Sequence, residues 1–317
     1  MKNIYLNIYK PNSVNLKKAK KNIENNNIIG IPTETVYGLA GNAYSDKSVK
    51  KIFILKKRPF YNPIIIHFKN LKNLKKDELI NNSFLKLYKN FCPGPITFVL
   101  KKNPKSKISY MATAKKNTVA IRFPKHRLAR KLLSLLKVPL AAPSANISSK
   151  LSPTSSSDVV DEFGNKIKFI LDGGQSKIGL ESTILNLIDK PQILRLGGLE
   201  KNKINKFLKI NTKISKENTI LVPGQGKIHY SPQIPIRLNV IHPRQNEAFI
   251  LIKKRKLYCK NFYYLSKNNN LKEAAKNLYK TFRIIKKKKF KSIAVEKIPN
   301  KGFGEAINDR LVRASKF

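Results

Sequence analysis

Tryptophan is absent from this chain, and cysteine and methionine occur only twice each. Cysteines as far apart as Cys92 and Cys259 supply neither a disulfide framework nor a zinc site. The 4 histidines are scattered and offer no metal-ligand spacing. No stretch approaches the ~18–20 continuous apolar residues that a membrane span requires. The opening residues, Met1 to Tyr5, lack an apolar block ending in small residues, so no secretory signal is expected. A reducing, cytosolic setting is the expectation. The common phosphate-binding loops are missing too: there is no G-x-x-x-x-G-K-[ST], no G-x-G-x-x-G after a strand and no nucleophile elbow. Acid is scarce, with 18 Asp and Glu against 65 Lys and Arg.

What is present is a chain of 317 residues, 41% apolar, long enough for two domains with real cores. Its net charge of +47 would attract any polyanion through a salt-sensitive field. The excess is spread along the whole chain and accompanies abundant Asn and Ile, so A/T-rich codon usage explains it as well as RNA binding does. The Lys286–Lys289 run has solvated surface as its ordinary reading.

Short apolar strands alternate with helical segments through the first two thirds. Strands are expected at Asn27–Pro32, Ile64–Phe68, Ile96–Leu100, Thr118–Phe123, Pro139–Ala142, Ile167–Leu171 and Ser182–Ile188. Asp46 is expected to cap a helix that buries Val49, Ile52 and Phe53, and Leu128, Leu132, Leu133 and Leu136 form a second stripe. After Gly198 the chain turns Lys/Asn-rich, with Pro223, Gly224, Gly226, Pro232 and Pro235, which reads as a linker from 201 to about 235. A smaller unit follows, with strands at Ala248–Ile252 and Ile293–Val295. A helix aligns Leu271, Ala274, Ala275, Leu278 and Phe282, and a last helix follows Gly304. The fold class is α/β: an open twisted sheet followed by a small second α/β domain, divided as 1–205, a linker at 206–236, and 237–317.

Several segments are polar where a core would be apolar. Pro32–Leu39 puts two threonines and a carboxylate at a strand end; an ordinary helix cap would look the same. Lys56 and Arg58 offer a point charge and a planar fork suited to phosphates. His67 lies inside a strand, where histidines are commonly structural. Arg122 interrupts an apolar strand and needs an anionic partner, since an unpaired buried charge is costly. A carboxylate ligand would serve, and so would a protein carboxylate; with 18 acidic residues in the chain, the external anion gains ground. Ala142–Asn146 and Ser152–Thr154 combine small residues with hydroxyl and amide groups that suit phosphate contacts. Physics alone stops at an α/β protein with an anion-binding site lined by Ser, Thr and Arg.

Taken in order, these segments resemble the two-domain form of the threonylcarbamoyl-AMP synthase family. The resemblance is carried by Pro32–Leu39, Lys56-x-Arg58-Pro59 with Asn62-Pro63, His67, Gly94–Thr97 and Arg122-x-Pro124. It continues in Ala142–Asn146, Ser152–Thr154, Glu181–Ile184, Arg195-x-Gly197, His229–Pro232 and, weakly, Gly302–Leu311. It implies a YrdC-like fold and an enzyme that joins L-threonine, bicarbonate and ATP, releasing pyrophosphate. A threonylcarbamoyl transferase complex would then modify adenosine in tRNA, with any tRNA contact here indirect and no membrane involved. By matching position, Thr35, His67, Arg122, Ala142 and Ser182 are expected to form the threonine pocket. Arg58, Asn62, Thr118, Ser144, Ser152 and Arg195 are expected to hold ATP, with His229 or Tyr230 closing over it. Lys56, Arg58, Ser144 and Asn146 are expected to be the catalytic residues, with Mg²⁺ held mainly by the ATP phosphates and no protein metal site.

Departures from the family pattern are Lys57, Phe60-Tyr61 and Ala40-Gly41. The rival reading is a double-stranded RNA or tRNA-binding module without catalysis; it gives no reason for Thr35, Arg122, Ser144 and Ser182 to occur in this order. A carbamoyl-transfer enzyme with another acceptor would need paired cysteines at zinc-finger spacing.

Overall fold

The computed structural model describes residues 6–75, 77–214, 222–223, 229–256 and 259–316. The glycines at 224 and 226 and the opening residues Met1 to Tyr5 lie outside them.

Among the described residues the chain builds two sheets. The first uses β1 (Ile8–Tyr9), β2 (Ile29–Ile31), β3 (Gly38–Asn42), β4 (Ile66–His67), β5 (Ile96–Lys101) and β6 (Thr118–Arg122). It is completed by β7 (Leu140–Ala141), β8 (Ile170–Leu171), β9 (Thr183–Asn186), β10 (Gln192–Arg195) and β11 (Lys213–Ile214). Their order across the sheet is β1-β8-β2-β3-β7-β4-β6-β5-β9-β10-β11, so the strands expected from the sequence lie at its centre. Pairing is mixed: β4 runs parallel to β6 and β5 to β9, while β5 and β6 are antiparallel. The expected open α/β sheet is therefore observed.

One face of this sheet is closed by helices. Asp46–Lys56 and Asn82–Phe91 bury Val49, Ile52, Phe53, Phe84 and Leu87 against Phe98, Ile121 and Leu185. Ser13–Glu24 and Arg127–Leu135 pack Ala19, Ile23, Leu132 and Leu133 against Ile29, Ile31, Ala40 and Leu171, whose alternation turns them to the opposite face at the other end of the sheet. Each buried Val, Leu, Ile or Phe among them contributes about 1.5–3 kcal/mol of hydrophobic stabilisation. Ser45, rather than Asp46, caps its helix: its hydroxyl accepts the Ser48 N–H at 3.3 Å, and Asp46 sits in the first turn, where its charge favours the helix dipole.

Strand alternation sets the opposite face. Along β6, Val119 and Ile121 enter the helix-covered core, so Thr118, Ala120 and Arg122 share the other side. The same period gives that side Ile65 and His67 of β4 and its entry, Thr97 and Val99 of β5, and Ser182 and Ile184 at β9. Its floor is a small apolar cluster of Ile65, Val99, Ala120, Ile184 and Leu194, covered by Val222.

The second unit is a parallel sheet of β12 (Ile236–Arg237), β13 (Ala248–Leu251), β14 (Phe262–Tyr264) and β15 (Ile293–Val295), ordered β12-β15-β13-β14. Helices Leu271–Lys287 and Phe303–Ala314 pack on it. Its core takes in Val36, Leu151 and Leu180 from the first unit, so the two share one apolar cluster. The stretch after Gly198 departs from the linker reading. Lys201–Leu208 is a helix that buries Ile204, and β11 follows it. Its Lys and Asn residues mark a solvated helix face, not an unstructured chain.

Candidate active site

The turn between β2 and β3 brings Thr33, Glu34 and Thr35 to the pocket face, all buried. Thr33 Oγ1 lies 2.8 Å from Thr35 Oγ1 and donates to the Val36 carbonyl at 2.6 Å. These bonds fix the turn as a rigid wall. Opposite it stand Arg122 and His67, paired in register across β6 and β4. Ser182 follows at the entry to β9, its hydroxyl 2.7 Å from that of Thr97. A cavity of about 40 Å³ opens among Thr35, His67, Arg122, Ala142, Ser144 and Ser182. Arg58, Glu181, Arg195, Pro223 and His229 complete its rim.

Arg195 reaches the rim through a backbone irregularity. The register of β10 on β9 shifts between Ile193 and Arg195, so consecutive residues Leu194 and Arg195 both serve the pocket side. Beyond it, Gly197 crosses the chain at close range. A β-carbon there would stand 2.3 Å from the Glu181 carbonyl oxygen, so only glycine fits.

The cations of the site fall into two kinds. Arg122 Nη2 donates to Glu34 Oε1 at 2.7 Å, and the other oxygen of Glu34 accepts the Lys125 and His126 N–H groups at 2.9 and 3.2 Å. Of the two partners the sequence leaves open for Arg122, the fold supplies the protein carboxylate, from 88 residues away in the chain. Arg122 Nε and His67 Nδ1 stay buried without a partner among the described residues. Burial and then the Arg122 charge hold the His67 imidazolium well below its ordinary range, so the ring is neutral.

Arg58 and Arg195 are held differently. Arg58 donates to the carbonyl and side-chain oxygens of Asn62 at 2.9 and 2.5 Å and to the Pro63 carbonyl at 2.7 Å. Arg195 donates to the Ser182 carbonyl at 2.8 and 3.2 Å and to the Pro223 carbonyl at 3.0 Å. Both are buried, and neither makes an ion pair among the described residues. Burial and then Arg195 pull Arg58 down to about 9. Two neighbouring guanidinium groups held by neutral acceptors form a site that an anion would stabilise.

Other expected residues stand behind the pocket. Lys56 is buried, and its ammonium donates to the Ser144 and Asn146 carbonyls. Burial and then Arg58 lower its pKa. The Asn146 side chain donates to the Ile147 and Lys150 carbonyls at 2.7 and 3.0 Å. Neither faces the cavity; together they fix the loop that presents Ser144. The Ser152 hydroxyl donates to Glu181 Oε1 at 2.6 Å. Thr118 lies on the pocket face at the far end of β6, about 13 Å along the strand from Arg122. Of the pair His229 and Tyr230, His229 lines the cavity, while Tyr230 is buried against Arg310 and Tyr279. Burial draws the His229 imidazolium down to about 3.

Residues 21–197 match the family described as "Telomere recombination", and residues 192–316 match "Threonylcarbamoyl-AMP synthase, C-terminal domain". The threonylcarbamoyl-AMP synthase of Pyrococcus abyssi is 37% identical, over 93% of this chain and 92% of its own. That of Bacillus subtilis is 33% identical, over 96% and 94%. The chain belongs to the threonylcarbamoyl-AMP synthase family. Like its relatives, it is an enzyme of the transferase type. The crystal structure of P. abyssi Sua5 complexed with L-threonine superposes with a TM-score of 0.89 at 33% identity, covering 98% of this chain and 97% of that one. E. coli YciO, at 21% identity and a TM-score of 0.54, shares the fold of the first unit.

Sequence reasoning missed two buried residues that pair with others around this cavity. Glu34 was read as part of a polar turn and proves to be the counter-ion of Arg122. Arg310, in the weakly matched C-terminal segment, reaches Glu181 across 129 residues. The one available signal was an arginine on the apolar side of a helical stripe, with Ala306, Ile307, Leu311 and Ala314. No group of His, Cys, Asp or Glu able to hold a metal occurs among the described residues, and no helix there is long and apolar enough to cross a membrane.

Proposed function

We propose that this enzyme condenses L-threonine, bicarbonate and ATP into threonylcarbamoyl-AMP, pyrophosphate and water. The threonylcarbamoyl group is then passed by a transferase complex to tRNA adenosine. The observation that carries the reading is the pair Arg58 and Arg195, buried and without carboxylate partners, beside a small polar cavity whose Arg122 Nε and His67 Nδ1 are unpartnered. Arg122 receives the threonine carboxylate there, next to neutral His67, with Thr35, Ser182 and the backbone at Ala142 shaping the pocket. Arg58 and Arg195 receive phosphates, with Asn62, Thr118, Ser144 and His229 along the nucleotide path. Lys56 and Asn146 act through the Ser144 loop, Ser152 through Glu181, and Tyr230 through its neighbour His229.

The chemistry needs a carboxylate oxygen of the N-carboxylated threonine held in line with the α-phosphorus, so that the O–P bond forms as the bond to pyrophosphate breaks, and fixed cations opposite the charge that develops on the phosphates. Positioning and electrostatics meet both needs without a covalent enzyme intermediate. The nearby carboxylates, Glu34 and Glu181, are engaged by Arg122 and Arg310, so a Mg²⁺ ion would be held by the ATP phosphates. We place the enzyme in the cytoplasm, where ATP and tRNA are found. We also assign the first unit, through β11 at Ile214, as the catalytic domain and the unit that begins with β12 at Ile236 as the second domain; bounds at 205 and 236 would cut the helix Lys201–Leu208 and β12.

The test is pyrophosphate release from ATP and bicarbonate, with and without L-threonine, with mass detection of the adenylate. Threonine-dependent release with the adenylate mass is expected. Threonine-independent release, or none while ATP binds, would overturn the reading and favour a polyanion-binding role.

A further inference from the structure

Glu181 directly precedes Ser182 and is a buried point where the two units meet chemically. Its carboxylate is saturated. Oε1 accepts the hydroxyls of Ser152 at 2.6 Å and Tyr279 at 3.0 Å. Oε2 accepts the Tyr279 hydroxyl at 3.1 Å and Arg310 Nε and Nη2 at 3.2 and 3.1 Å. Tyr279 and Arg310 are fully buried and belong to the two helices of the small C-terminal unit. The Arg310 guanidinium also lies 4.7 Å from the Tyr230 ring centre, and the Tyr230 ring is 4.0 Å from that of His229. Arg310 thus touches the element that carries Ser182 and the segment that carries His229.

On the other side, the backbone at 181–182 is pinned by Gly198, whose N–H donates to the Glu181 carbonyl at 2.8 Å, and by Arg195 on the Ser182 carbonyl. The orientation of Ser182 is therefore set from both units. A carboxylate that accepts this many donors has no capacity left for substrate, so Glu181 works as an anchor.

We propose that Arg310 and Tyr279 are positioning residues supplied by the C-terminal unit, fixing through Glu181 and Tyr230 where Ser182 and His229 stand in the pocket. Neither residue touches substrate. The proposal rests on the functional reading above and deepens it, because it gives the second unit a defined part in holding threonine and nucleotide.

The experiment measures threonine-dependent pyrophosphate release by the full chain in wild type, Tyr279→Phe, Arg310→Met and Arg310→Lys, alongside thermal melts. Tyr279→Phe keeps the ring packing and removes only the hydroxyl donor. In the folded variant, KM for L-threonine should rise about tenfold while kcat stays within about twofold, the loss of one hydrogen bond to a charged group. Arg310→Lys should regain part of the affinity that Arg310→Met loses. If Arg310→Met fails to fold, Tyr279→Phe decides. A lowered melting point with both KM values unchanged would make the network a brace and overturn the proposal. The wild-type control separates the two claims: if it shows no threonine dependence, the functional reading itself has failed and this proposal falls with it.

Discussion

Two sets of buried arginines lie within one protein and are held in opposite ways. Arg122 and Arg310 are each met by a carboxylate, Glu34 and Glu181. Arg58 and Arg195 are met by carbonyl, amide and hydroxyl oxygens. A buried charge with a full counter-ion holds shape, whereas one held by dipoles alone keeps an unspent attraction for an anion. The contrast separates the frame of the site from the part that receives phosphate.

Removing a member of the frame should have the largest effect. Arg310→Met leaves Glu181 as an uncompensated buried charge and should lower unfolding stability by about 3–5 kcal/mol, measured by urea denaturation. A loss below about 1 kcal/mol would erase the distinction between the two sets. Arg58→Ala should do the reverse. Its stability should change little, while kcat/KM for ATP falls about 10²–10³-fold, read from initial rates of pyrophosphate release.

The comparison extends to acids. Glu78 is buried 3% exposed, and neither carboxyl oxygen has a hydrogen-bond partner among the described residues. Burial, then Asp77, raises it from 4.5 to about 10. The folded state therefore keeps a proton that the unfolded chain releases above 4.5, so this group costs more stability as pH rises from 4.5 toward 10. Glu78→Gln should stabilise by about 1–3 kcal/mol at pH 7 and not at pH 4, in urea melts at both pH values. Equal melts at pH 7 would mean the carboxyl is paired.

The smallest effect concerns His229, whose pKa is lowered from 6.5 to about 3 by burial. A depressed pKa contributes stability that is present above 6.5 and lost as pH falls toward 3. His229→Asn should flatten part of that acid loss, by under about 1 kcal/mol at pH 5 in denaturant titrations. An unchanged slope between pH 6.5 and 4 would place the ring in water.

What the sequence made readable follows from local chemistry. β-Branched runs such as Ile64–Ile66 and Thr118–Ile121 announce buried strands, and the core of the sheet was visible in them. β3 was not, because Gly38-Leu39-Ala40-Gly41 lacks the branched side chains that mark a strand; its neighbours hold it extended. The helix at Lys201–Leu208 was hidden by its Lys and Asn content, since only Ile204 is buried. In the site, polar residues at strand ends stood out singly, and Thr35, His67, Arg122 and Ser182 do converge. Their partners were unreadable, because Glu34 meets Arg122, and Glu181 meets Arg310, across 88 and 129 residues. Lys56 and Asn146 looked like ligands for the same reason: a lone sequence does not show that backbone carbonyls already hold them.

The central claim is that the dipole-held arginines receive the nucleotide while Arg122 receives the amino acid. Calorimetric titration of L-threonine and of ATP, each alone, into Arg58→Ala and Arg122→Ala tests it most directly. The account predicts that Arg58→Ala loses ATP and keeps threonine, and that Arg122→Ala loses threonine and keeps ATP. Wild-type affinity for both ligands in either variant, or loss of both in each, would contradict it.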